Sequence, residues 1–170
     1  MITEAVQLPQ GEMTDKTTYE KSTLLPVKRQ VNQGPVTIDV SYEGNKVKGS
    51  MAMNGQSRPF EVDLGGGVFA DGAGSAELLA TLPLAEGFTT VFRNFDLNSQ
   101  KPAVKELKVV GIEKVTIPAG TFEAFKVEVA DADGGGRTTN WIAKDGRRSL
   151  KSSAVMPQFN GAVMTIERVE

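Results

Sequence analysis

Residues 107–129, Leu-Lys-Val-Val-Gly-Ile-Glu-Lys-Val-Thr-Ile-Pro-Ala-Gly-Thr-Phe-Glu-Ala-Phe-Lys-Val-Glu-Val, constrain the fold more than any other stretch of this chain. The spacing predicts two long antiparallel strands joined by a tight turn at Pro118-Ala119-Gly120-Thr121. Proline presets φ at an early turn position, and Gly120 can take the positive φ that closes the reversal. After the turn, Phe125, Val127 and Val129 alternate with Ala124, Lys126 and Glu128, the period of a half-buried strand. Before the turn the phase changes, because Val110 and Ile112 have the opposite parity to Val115 and Ile117. One extra residue near Gly111-Ile112-Glu113 would reconcile them, so a bulge or sharp bend is expected there.

Upstream, three strands joined by tight turns read as a meander. Val36, Ile38, Val40 and Tyr42 alternate with polar residues, and Gly44-Asn45 turns into Val47, Gly49, Met51 and Met53. Asn54-Gly55, a dipeptide suited to a hairpin turn, then leads to Phe60, Val62 and Leu64. Residues 13–31 suggest two strands broken at Pro26, and residues 1–12, with Pro9 and Gly11, an irregular lead-in. The glycine-rich stretch 65–74 precedes the one helix candidate, residues 75–82, with Ser75 as N-cap, Glu77 in the first turn and Pro83 as the stop. Leu78, Leu79 and Leu82 give it one apolar side, and a helix this short needs a sheet to pack on. Strands resume at 88–95, and others carry Trp141, run through Met156, and, after Pro157 and Asn160-Gly161, end near Val169. Nine to eleven strands and one short helix make a single, mostly β domain over residues 1–170.

The residue inventory excludes several function classes. No Cys and no His remove disulfides, thiolate metal sites and imidazole chemistry. A net charge of −2 gives no basic excess for nucleic acid. No run reaches the ~18 apolar residues of a transmembrane helix. The start, Met-Ile-Thr-Glu-Ala-Val, lacks a basic region followed by an apolar core, so no signal peptide is expected.

Three motifs invite chemistry and each has a plainer reading. Gly72-x-Gly74 resembles a phosphate loop, but Glu77 stands at the third glycine position, and a flexible linker is the preferred reading. Asp131-x-Asp133-x-Gly135-Gly136 resembles the opening of a calcium loop, but Ile142 stands where the bidentate Glu belongs, which leaves a solvated hairpin tip. Lys144, Arg147, Arg148 and Lys151 do not share one face, as expected of an exposed rim. Nearly every acid alternates with an apolar residue and is expected to face solvent, Glu113 at the suspected bulge excepted. No catalytic residue, metal or cofactor is assigned, and an enzyme is not expected.

The pattern Gly111-x-Glu113-x-Val115-x-x-Pro118-Ala119-Gly120-Thr121-Phe122, then Lys126-Val127, then Trp141, resembles a bacterial exported domain family of unknown function grouped with the LolA/LolB lipoprotein carriers. Tyr19, the meander and Pro83-Leu84-Ala85-Glu86-Gly87-Phe88 suit it. The resemblance implies one strongly curved antiparallel sheet, an open half-barrel around a short helix, and a periplasmic or exported location. In the carriers the concave face holds acyl chains, so a lipid or other apolar ligand is implied as a partner. Leu78, Leu79, Leu82, Phe125 and Trp141 become the candidate cavity residues, with Gly65-Gly66-Gly67 and Gly72-Ala73-Gly74 as hinges of a lid. Two readings stay open: a non-catalytic envelope domain binding an apolar ligand, and a ligand-free structural or interaction module at the end of a larger exported protein, with other domains of that longer chain as partners.

Overall fold

The computed structural model describes residues 1–8, 11–156 and 161–169. Pro9, Pro157 and Asn160, named above as loop residues, lie outside the described residues. Among the described residues, twelve strands and one short helix follow in order. The strands are β1 Ile2–Leu8, β2 Gly11–Tyr19, β3 Pro26–Gln33, β4 Val36–Glu43, β5 Lys46–Met53 and β6 Gln56–Asp63, then after helix α1 Ser75–Leu79 come β7 Thr89–Asp96, β8 Lys101–Ile117, β9 Gly120–Asp131, β10 Arg137–Ala143, β11 Ser149–Met156 and β12 Ala162–Glu167.

The mostly β expectation holds, but the single curved sheet does not. The strands form two six-stranded sheets, each an antiparallel succession in chain order, β1 to β6 and β7 to β12, and neither closes into a barrel. The division falls at residues 64–88, where the glycine-rich stretch and helix interrupt pairing between β6 and β7. Nor is the start irregular: Ile2–Leu8 pairs with β2 from Ile2↔Thr17 to Leu8↔Gly11. The helix covers 75–79 rather than 75–82. Thr81 and Leu82 donate to the carbonyls of Leu78 and Leu79, a tighter final turn ahead of Pro83.

Contacts divide the chain into two compact units, Met1–Ser75 with Arg93–Ala103 and Ala76–Phe92 with Val104–Glu170. In the first, alternation works as the sequence suggests. Val31, Ile38, Val40, Val47, Leu64, Val68 and Phe95 form a buried cluster, and the Phe60 ring lies 6.1 Å from that of Phe95. The opposite face is polar, with Lys16, Gln30, Asp39 and Ser50 as successive cross-strand partners.

In the second unit the β8–β9 hairpin carries the expected irregularity, with a register shift at Val110, between Val109 and Gly111. It does not bring the two apolar sets together. Leu107, Val109 and Ile112 pair with Val129, Val127 and Phe125 on one face, while Val115 and Ile117 pair with Phe122 and Gly120 on the other. Val115 and Ile117 join Ala124, Ala143 and Leu150 in a separate small cluster. The turn is closed by Gly120 at φ +130°, the positive value that the sequence called for.

Candidate functional site

The most organised polar cluster lies in the first unit, on the inward face of β2, β3 and β4. Met13, Asp15 and Thr17 share one side of β2, and Thr17 is the direct partner of Arg29 on β3. Arg29 in turn faces Val40 on β4, two residues from Tyr42. Diagonal neighbours on one sheet face lie within reach of long side chains, so Asp15, Arg29 and Tyr42 converge. Asp71, from the glycine-rich stretch, completes the group and is 1% exposed.

Arg29 is the hub. Its Nε and Nη2 donate to Asp15 Oδ2 at 2.9 and 2.6 Å, and its Nη1 donates to Asp71 Oδ1 at 3.1 Å. The other oxygens are also used. Asp15 Oδ1 accepts from Thr17 Oγ1 at 3.1 Å, and Asp71 Oδ2 accepts from the Tyr42 hydroxyl at 2.5 Å. A planar fork bridging two carboxylates is the geometry that Arg supplies and Lys does not. Among the described residues no buried side-chain N or O lacks a hydrogen-bond partner.

The same groups fix the backbone above them. The Tyr19 hydroxyl lies 2.7 Å from the carbonyls of both Asp71 and Ala73. Ala73 N donates to Thr17 Oγ1 at 3.1 Å, and Gly74 N to Glu4 Oε1 at 2.8 Å. Phe69 N donates to the Arg93 carbonyl, and Asn94 Nδ2 to the carbonyl of Ala70, a non-glycine residue at φ +49°. A Cβ on Gly72 would collide with Thr17 Oγ1, and one on Gly74 with Ile2. Residues 72–74 are therefore a pinned strap, which corrects both the flexible-linker and the hinge readings. Glycine is needed there for close approach and positive φ.

Burial pushes the Tyr42 phenol well above its ordinary pKa, and the negative charge of Asp71 adds to that rise. The Tyr19 phenol is raised for the same two reasons in the same order. Burial also pushes the Asp71 carboxyl up, against the pull of Arg29 and of the Tyr42 hydrogen bond. For Arg29, burial opposes the charge, but Asp71 and Asp15 outweigh it and hold the guanidinium protonated. An acid whose oxygens all accept from fixed donors, beside phenols that keep their protons, makes a cohesive network rather than a proton-transfer site. The described residues contain no cluster of three or more metal-ligating side chains.

The sequence missed this site because Asp71 sits in a stretch that reads as a linker, and because its acids were expected to face solvent. The legible signal was parity: Asp15 shares its strand face with Met13, and Arg29 shares its face with Val31.

The five cavity candidates lie in the second unit and do not form one wall. Leu78 and Leu79 are buried and Leu82 is half-buried. Phe125 is buried and is the cross-strand partner of Ile142, whereas Trp141 is the partner of Lys126, so Phe125 and Trp141 project from opposite faces of their sheet. Trp141 is half-buried against the small Val115 cluster. Its Nε1 donates to Glu113 Oε1 at 2.5 Å, and Lys126 and Lys151 stand 5.8 and 5.5 Å from its ring centroid.

The four-cation stretch is partnered residue by residue: Lys144 with Glu123, Lys151 with Glu167, Arg148 over Phe122 and Arg147 over Phe125. Asp131 caps a hairpin tip, where its Oδ2 accepts from Gly136 N at 2.6 Å and its Oδ1 meets Lys105.

Over residues 3–167 the chain matches a family described as protein of unknown function (DUF3108), and it belongs to that family. No curated protein and no solved structure matches it.

Proposed function

We propose that this chain is a non-catalytic structural or interaction module of an exported protein, presenting a rigid β surface to other domains or chains. The carrying observation is the closed Arg29 network, in which Asp15, Asp71, Thr17 and Tyr42 occupy one another while Tyr19 and Thr17 hold the backbone at Asp71 and Ala73. A lid that yields to a ligand needs a segment drawn from the low-stability end of the fold. The hinge expected at residues 72–74 is instead tied down by Tyr19, Thr17 and Glu4. The exported or periplasmic location comes from the resemblance to the exported domains.

The rival reading, a carrier of an apolar ligand in the LolA/LolB manner, is favoured by Leu78, Leu79 and Phe125, buried apolar residues of one unit. Native mass spectrometry of the gently purified protein separates the two, together with Trp141 fluorescence during titration with a fatty acid. The module reading expects no co-purified lipid and no saturable quenching. Stoichiometric lipid with saturable quenching would replace it by the carrier reading.

A further inference from the structure

The segment 76–87 of the second unit holds itself together poorly. Its helix is five residues long, and its own backbone bonds are local: Ala80 to Ala76, Thr81 to Leu78, Leu82 to Leu79 and Leu84 to Leu82. A single turn of this kind is not stable alone in water. Leu78, Leu79, Ala80 and Leu84 are buried, while Thr81, Pro83, Ala85, Glu86 and Gly87 are exposed. At its far end Gly87 takes φ +75° with nothing within 4 Å of a Cβ position, and Phe88 O is then anchored by Val109 N at 2.9 Å.

One side chain closes this segment onto the sheet. Arg147, in the connection between β10 and β11, donates from Nη1 to Leu82 O at 3.4 Å and from Nη2 to Leu84 O at 3.0 Å. Its guanidinium carbon also stands 4.9 Å from the centre of the Phe125 ring. These carbonyls lie just past the helix C-terminus, where a cation is the favoured charge, and Leu82 O also accepts from Leu84 N. Arg147 does this from φ +43°, a backbone conformation disfavoured for a residue with a Cβ and kept only where surrounding contacts over-determine it.

We propose that Arg147 is the latch of a locally opening segment: residues 76–87 open between the fixed residues 72–74 and the anchored Phe88 when the guanidinium leaves the two carbonyls and the Phe125 ring. The inference does not rest on the proposed function. The fork is essential to it, because one planar group reaches both carbonyls while stacking on the ring. A lysine can offer charge but not that geometry.

Hydrogen exchange of the full chain tests the latch, comparing wild type with Arg147→Lys and Arg147→Gly. Glycine relieves the φ +43° backbone while deleting the side chain, so strain and latch are separated. Amides of residues 78–84 should exchange about tenfold to a hundredfold faster in Arg147→Gly, the order expected for losing hydrogen bonds from a charged donor. Arg147→Lys should fall between, and strand β9 should be unchanged. Unaltered exchange in 78–84, or an equal acceleration in β9, overturns the latch. If the glycine variant does not fold, the wild type decides alone. Exchange of residues 78–84 should be nearly independent of low denaturant, as local opening is, and dependence matching β9 overturns the proposal.

Discussion

Replacing Arg29 by Met removes the hub of the buried network while keeping a long apolar stem. The variant leaves Asp15 and Asp71, 7% and 1% exposed, facing each other without a cation. Three N–H donors are lost; at roughly 1.5–3 kcal/mol for each bond to a charged group they would sum to more than the effect expected. The Arg29 side chain is 16% exposed, so water can partly replace it. Breaking a buried ion pair from one side costs about 3–5 kcal/mol, and that is the expectation here, a large part of the ~5–15 kcal/mol of a typical domain. Urea unfolding followed by tyrosine signal is the assay, since both tyrosines, Tyr19 and Tyr42, belong to the affected unit. The pH dependence supplies a signature. Asp71 titrates above its ordinary value in the folded protein, so its contribution is complete below the unfolded pKa and is lost as pH rises through the folded one. Without Arg29 that upward shift widens, and the deficit of Arg29→Met should shrink as pH falls into the carboxyl range. Adding Asp71→Asn should restore part of the loss at neutral pH. A deficit below about 1 kcal/mol, the size for an exposed pair, with no pH trend would refute the account.

Alkaline titration reads the same cluster from its phenols. Both tyrosine pKa values are raised, so their contribution is complete below the unfolded value of 10.0 and falls as pH rises beyond it, by up to about 2.7 kcal/mol per pH unit for two protons. Tyrosinate absorbance should therefore develop together with unfolding, and a free titration of either phenol in the folded protein would contradict its burial. At the long hairpin, Gly120 sits at φ +130° with only the Phe122 ring near, at 3.5 Å, so Gly120→Val should cost roughly 1–3 kcal/mol through backbone strain. An unchanged urea midpoint would show that the turn accommodates a β-branched residue.

What was legible in the chain was local. Gly44-Asn45 and Asn54-Gly55 set their hairpins, and the register from Val36↔Met53 through Lys46↔Asp63 follows from the turn chemistry and period-two alternation. Whether β6 would pair with β7 was not legible, because that pairing depends on where residues 64–88 lie rather than on either strand. The network was hidden for a similar reason. Asp71 finds Arg29 and Tyr42 at separations of 42 and 29 residues, and no period links them. Parity did mark Asp15 and Arg29 as inward-facing, a costly placement for a charge unless a partner exists. Buried charges at inward positions imply a missing counterpart, and a lone Asp in a glycine-rich stretch is where that counterpart was.

The phase change at the bulge carries the same lesson in apolar form. Without an extra residue, Leu107, Val109, Val115 and Ile117, all odd-numbered, would share one face. Val110 instead aligns Leu107 and Val109 with Ile112, and the hairpin then buries its other side beyond Glu113. That is possible because Ala124 and Ala143 are small and directly paired, leaving room for Val115, Ile117 and Leu150 over them with Phe122 and Trp141 at the margin. Trp141 is therefore kept at the edge of a small outer cluster, held by Glu113 and flanked by Lys126 and Lys151. A lone tryptophan suggests an interior anchor, but an indole N–H needs an acceptor, and here the available acceptor is on the outer face. The hairpin that most constrains the fold thus packs on both its sides, which an alternation read for one buried face could not anticipate.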